Sequence, residues 1–208
     1  MEYNEGKELT LFEAKEPTAM RTIILASASP RRKELLERAG IPFTVHPSHA
    51  EERMGNELPP ADLVRENAGL KAFDVSASRP GEIVLGADTV VCMDGRVLGK
   101  PHDRQEAESM LSMLSGRTHQ VYTGIVLTDG TATFSESVCT DVTFRPLSQQ
   151  LIRQYLDTGE YKDKAGAYGI QGYGCILVEK LSGDYFNVMG LPIARVYRLL
   201  EGFPGFSG

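Results

Sequence analysis

The stretch from Thr22 to Gly40 constrains this chain more than any other. An apolar run, Thr22-Ile-Ile-Leu-Ala26, gives way without a spacer to Ser27-Ala-Ser29-Pro30-Arg31-Arg32 and then to a segment closed by Gly40. Proline suits the first helical position because its missing N–H is one that a helix start leaves unpaired anyway, and glycine accommodates the turn at the other end. The spacing predicts a buried strand, a tight turn and a helix from Pro30 to Ala39.

Similar punctuation continues along the chain. A second helix is expected from Ala61 to Val75, and Ile83-Val-Leu-Gly-Ala87 reads as a buried strand that delivers Asp88 at its C-terminal end. Asp94-Gly95 marks a hairpin. Asp103-x-x-Glu106 forms a capping box ahead of a helix with Ala107, Met110, Leu111 and Leu114 on one face, ended near Gly116. Tyr122–Thr128 and Thr133–Phe144 flank a turn at Asp129-Gly130, a long antiparallel pair able to form the spine of a mixed sheet. Beyond it come a helix from Ser148 to Thr158, a glycine-dense stretch from Asp163 to Gly174, a strand from Cys175 to Leu181 and a closing amphipathic helix from Pro192 to Leu200. Residues 1–20 are polar and without periodicity, so they read as a flexible extension, with one folded domain over residues 21–208.

Composition excludes several function classes. No stretch approaches the roughly 18 consecutive apolar residues of a membrane helix, and the N-terminus lacks the hydrophobic region of a secretory signal. The expectation is a soluble, cytoplasmic protein with no membrane partner. Cys92, Cys139 and Cys175 are odd in number and widely spaced, so they are expected to be buried free thiols, and the four histidines show no zinc-ligand spacing. With a formal net charge of −6, attraction to nucleic acid is not expected, and a polyanionic substrate must be met by a local basic pocket.

Four constellations could make that pocket. The start of the first helix combines Ser29, unpaired backbone N–H groups, Arg31 and Arg32, an arrangement suited to a triphosphate tail. Gly86-Ala-Asp88-Thr89 places a carboxylate after an apolar run, where an unpaired charge is costly unless it binds something. Glu51 and Glu52 offer further carboxylates, and Mg²⁺ typically takes one or two of these plus phosphate oxygens and water. Gly99-Lys100-Pro101 holds a lysine in a stiff turn, and Lys71 on the second helix is another candidate phosphate contact, each lysine taken alone being also readable as a solvated side chain. Neither a G-x-x-x-x-G-K-[ST] loop nor a G-x-G-x-x-G order occurs, which argues against β/γ-cleaving machinery and dinucleotide binding. Within Asp163-Lys-Ala-Gly166-Ala-Tyr168-Gly169-Ile-Gln171-Gly172, Gln171 offers the donor and acceptor needed to read a pyrimidine's imide edge.

Taken in order, S-A-S-P-R-R, G-A-D-T, G-K-P, D-K-A-G-A-Y-G-I-Q-G and Asn187-Val-Met-Gly190-Leu-Pro192 resemble the Maf family of nucleotide pyrophosphatases from about Thr22 to Leu200. The resemblance implies an α/β fold like that of inosine triphosphate pyrophosphatases, with a mixed twisted sheet, flanking helices and two lobes around a deep cleft. It also implies a homodimer and hydrolysis of a nucleoside triphosphate to its monophosphate and pyrophosphate with Mg²⁺ or Mn²⁺. By that analogy Asp88 matches the proton acceptor and Arg31, Thr89 and Gln171 match positions that separate substrate subtypes. Ser29, Arg32, Glu52, Lys71 and Lys100 match other active-site positions, with Asp88 and Glu52 implied at the metal. The subtype positions fit the branch acting on dTTP and UTP, whereas Gly99 stands where that branch usually has Glu and resembles a second branch acting on 7-methyl-GTP. A non-catalytic nucleotide-binding regulator of cell division is the alternative from another class, and it predicts binding without pyrophosphate release.

Overall fold

β1 (Ile23–Leu25) is fully buried, and the chain turns through Ser27–Ser29 into α1 (Pro30–Arg38), with Pro30 in the first turn and Gly40 just beyond the end at φ 65°. The structure, a computed structural model, describes residues 20–206, so all but the last residue of the expected N-terminal extension lies outside it. β2 (Phe43–Val45), which no sequence signal announced, returns parallel to β1. After α2 (Pro60–Ser76), β3 (Val84–Met93) adds on the other side of β1, again parallel. β4 (Arg96–Leu98) folds back on β3 through Asp94-Gly95, both at positive φ (51° and 76°), as a tight two-residue hairpin requires.

The expected capping site starts α3 (Arg104–Leu114), where Asp103 accepts from Glu106 N at 2.8 Å. The Glu106 carboxylate reaches one residue further back than a capping box does, accepting from His102 N at 2.7 Å. β5 (Thr118–Thr128) and β6 (Thr133–Phe144) pair along their whole length. α4 (Gln149–Asp157), a run of short 3₁₀ turns, β7 (Val178–Ser182), α5 (Tyr185–Met189) and α6 (Ile193–Glu201) complete the chain. The seven strands form one mixed sheet in the order β2-β1-β3-β5-β6-β7, with β4 beside β3.

Helices cover the two faces unequally. α1, α3, α4 and α6 send Leu35, Leu111, Leu156 and Leu200 into one large core on one side. α2 packs on the other through Ala68, Ala72 and Val75 against Ile24, Val84 and Val126. It sits unusually close. A Cβ on Gly86 of β3 would stand 2.1 Å from Ala68 O, and one on Gly124 of β5 would stand 2.2 Å from Val64 O. Only glycine at both positions lets the α2 backbone rest on the sheet.

Three expectations need correction. β3 does not end before Asp88 but runs on to Met93, because Thr89-Val-Val-Cys-Met93 continues the pairing with β5. The last strand starts at Val178, since Tyr173–Leu177 form a 3₁₀ turn. Cys92 is buried, but Cys139 and Cys175 are exposed. No described helix is long and apolar enough to cross a membrane.

Candidate active site

Asp88 lies mid-strand on the face that α2 covers, and it is 6% exposed. Asn67 and Lys71, one helical turn apart on α2, point at it together. Lys71 Nζ donates to Asp88 Oδ1 at 2.8 Å, and Asn67 Nδ2 donates to Asp88 Oδ2 at 3.0 Å. Burial alone would raise the Asp88 carboxyl, but the charge and hydrogen bond of Lys71, then Asn67 and Arg32, outweigh it and hold the group below its ordinary value. The buried charge is therefore paired and stays ionised at neutral pH.

A second carboxylate arrives from the loop after β2. Glu52 Oε1 stands 2.6 Å from Lys71 Nζ, so the lysine bridges two acids. Two contacts fix that loop. Asp74 of α2 accepts from Ser48 Oγ at 2.6 Å and from His49 N at 3.0 Å, and its carboxyl is lowered by those bonds. Asn67 bonds Arg53 at both its N and its O.

Arg32 approaches from α1 and is 8% exposed. Its three nitrogens are committed: Nε donates to Gly190 O at 2.9 Å, Nη1 to Ser27 Oγ at 3.0 Å and Nη2 to Thr89 Oγ1 at 3.2 Å. Thr123 Oγ1 donates to Asn187 O, which leaves Thr89 to donate to Thr123 at 3.0 Å. The hydrogen of the Thr89 hydroxyl is thus spent within the protein.

Other polar groups remain available. Ser29 precedes α1, yet its hydroxyl makes no capping bond, so both it and the helix's first N–H groups can meet an anion. Arg31 is held loosely by Asp163 at 3.6 Å. Lys100 is exposed and makes no ion pair with any described residue. Its turn is anchored to the glycine-dense stretch where Gly166 N donates to Gly99 O at 3.0 Å, and Gly166, at φ 67°, sits against Val91 so closely that a Cβ would be 2.9 Å away. Gln171 Nε2 donates to Glu34 Oε2 at 2.7 Å.

All nine residues singled out from the sequence, Ser29, Arg31, Arg32, Glu52, Lys71, Asp88, Thr89, Lys100 and Gln171, line one cleft of about 740 Å³. A cavity of that size is suited to a nucleotide. The sequence reading missed Asn67, whose only local signal was its position four residues before Lys71, and Glu34, which lies outside the quoted motifs' polar candidates.

The sequence matches the model of the family described as "Maf-like protein" over residues 22–203. The chain belongs to the Maf family. A dTTP/UTP pyrophosphatase of Symbiobacterium thermophilum is 52% identical to this Maf protein over 91% of this chain and 98% of its own length. Those of Bacillus pumilus and Bacillus cereus are 50% and 49% identical, covering 88% and 94% of this chain and 97% and 96% of theirs. The Staphylococcus aureus Ham1 protein, a solved structure, shows a likeness too partial to fix the fold, with 14% identity and a TM-score of 0.41 over 60% of this chain and 72% of that one. In this Maf protein no group of three or more His, Cys, Asp or Glu side chains stands in position to hold a metal ion among the described residues.

Proposed function

We propose that this chain hydrolyses dTTP and UTP between the α- and β-phosphates, releasing the nucleoside monophosphate and pyrophosphate. The observation that carries the reading is the shared cleft, which brings a paired, buried Asp88 and the uncapped start of α1 to one cavity. Support for the substrate comes from relatives of 49–52% identity named for dTTP and UTP.

The residues divide by what their hydrogen bonds leave free. Arg31, Lys100, the Ser29 hydroxyl and the first N–H groups of α1 bind the triphosphate and take up charge on the departing pyrophosphate, the main task in phosphoryl transfer. Asp88, ionised by its neighbours, accepts the proton of a water that attacks the α-phosphorus as the bond to the β-phosphate's bridging oxygen breaks. Thr89 braces the wall of the cleft, since its hydrogen goes to Thr123, and Arg32, fixed by Gly190, Ser27 and Thr89, keeps two of its five N–H donors for the phosphates.

A divalent cation fits the donors present. Glu52 and Asp88 already converge on one positive centre, at 2.6 and 2.8 Å from Lys71 Nζ, and a hard ion needs only such a pair plus phosphate oxygens. Asp88 and Glu52 would hold Mg²⁺ or Mn²⁺, which when bound shields phosphate charge and acidifies water.

Gln171 reads the base. Glu34 is a carboxylate and can only accept, so it must face the Gln171 amide nitrogen and fixes which end of the amide is which. That orientation leaves an oxygen acceptor for the imide N–H of uracil or thymine, whereas cytosine offers an acceptor there. Incubation with UTP, dTTP, CTP and 7-methyl-GTP, with chromatography of the products, tests the reading. UMP and TMP with pyrophosphate are expected; a preference for 7-methyl-GTP, to which Gly99 points, overturns the base assignment.

A further inference from the structure

Asn67 is fully hydrogen-bonded within the cleft and belongs to none of the motifs. It is 2% exposed. Its Oδ1 accepts from Arg53 N at 2.8 Å, and its Nδ2 donates both to Arg53 O at 3.0 Å and to Asp88 Oδ2 at 3.0 Å. Both amide hydrogens and the oxygen are thus engaged. The two carboxylates come from different elements, and the other ties between the loop and α2, Asp74 to Ser48 and His49 and Glu66 to the Arg53 side chain, do not reach Asp88. Asp88 is locked in the sheet, whereas Glu52 rides on a loop whose residues 51–56 are all exposed. Lys71 draws the two acids together by charge, but a flexible ammonium fixes no geometry for the backbone. A planar amide bonded to both N and O of the residue after Glu52 does.

We infer that Asn67 is a positioning residue: it clamps the backbone at Arg53 to the carboxylate of Asp88, so that Glu52 is held at the reaction centre before substrate arrives. This rests on the proposed function for its catalytic consequence, though not for the clamp itself. Holding the second acid in place matters because displacing a group at a reaction centre by about 1 Å can cost on the order of 10²-fold in rate. Supporting groups behind a metal site typically cost about 10- to 100-fold when lost. Nucleotide binding should be spared, since the groups proposed to hold the phosphates lie on α1 and at Lys100.

The test uses the full chain with Asn67→Leu and Asn67→Ser. Amide hydrogen exchange at Arg53 reads the clamp directly, because Asn67 Oδ1 accepts that N–H. Expected are faster exchange at Arg53 with α2 amides still protected, kcat lower by about 10- to 100-fold, and affinity for a non-hydrolysable UTP analogue within about threefold of the parent. If the leucine variant also loses protection in α2, the serine variant, which leaves room for water, gives the deciding reading. Unchanged exchange at Arg53 in a folded variant overturns the clamp. Faster exchange with unchanged kcat, or a loss of kcat matched by an equal loss of analogue affinity, overturns its catalytic role. Absence of pyrophosphate release by the parent protein would instead refute the proposed function, while leaving the exchange result to stand.

Discussion

Gly124 stands directly across the β3–β5 ladder from Asp88, and the space its side chain would fill is taken by the carbonyl of Val64 on α2. The carboxylate proposed as the proton acceptor and the seat of the helix that supplies its partners are therefore one construction. Gly124→Ala would place a Cβ 2.2 Å from Val64 O and 2.6 Å from Arg65 N, both backbone atoms that cannot step aside. The expected result is a loss of about 1–3 kcal/mol or more of stability in thermal unfolding, with turnover per folded molecule also falling as α2 lifts Asn67 and Lys71 away.

Asp88→Asn removes the proposed proton acceptor while keeping an oxygen for Lys71. Turnover of UTP should fall by about 10²- to 10⁴-fold, the usual share of a general base, with the protein still folded by circular dichroism. Near-parental turnover would take Asp88 out of the chemistry.

Lys100 and Arg32 should separate cleanly. Lys100 touches no described ion-pair partner, so Lys100→Ala should leave the melting temperature unchanged and raise KM by about tenfold or more, the value of a charge-assisted contact to phosphate. Arg32→Lys cannot reproduce three bonds in fixed directions, to Gly190, Ser27 and Thr89, and should lower the melting temperature. Unfolding curves with KM for both variants check the division.

On the proposed reading, base discrimination depends on Glu34, which fixes the orientation of the Gln171 amide. In Glu34→Gln the new amide can donate as well as accept, so Gln171 is free to turn over and present its N–H to the acceptor of cytosine. The ratio of kcat/KM for UTP over CTP should drop by about tenfold, equivalent to roughly 1.4 kcal/mol. An unchanged ratio would show that another group reads the base.

Stability should also depend on acidity through His119, which is fully buried between Phe144 and Tyr168 and bonded to the Tyr168 hydroxyl at 2.8 Å. Burial lowers its pKa from 6.5 to about 4, so the unfolded chain takes up a proton that the folded one refuses. The stabilisation is present above pH 6.5 and is lost as pH falls from 6.5 to about 4, by roughly 3 kcal/mol. His119→Gln, less stable overall, should show a shallower slope of unfolding free energy across that window.

Some of this was written locally and some was not. Pro30, Gly40, Asp94-Gly95 and Asp103 mark turns and caps by backbone chemistry that acts within a few residues, and the elements they predict are present. The apolar run Ile83–Ala87 reads as a strand that ends at Asp88, where an unpaired charge is costly unless it binds something. What lets β3 continue is compensation from Lys71 and Asn67, 17 and 21 residues away in sequence, and no local pattern carries that. For the same reason Arg32 could be placed in the cleft from its motif, but its commitment to Gly190 and Thr89 could not be foreseen. The exposed Cys139 and Cys175 show that a thiol's usual burial says little about a particular strand or turn.

The most direct test of the central claim is UTP hydrolysis in ¹⁸O-labelled water, followed by mass spectrometry of both products. Attack at the α-phosphorus puts the label in UMP and leaves pyrophosphate unlabelled, as this account predicts. Label in pyrophosphate, or release of UDP and orthophosphate, would contradict it.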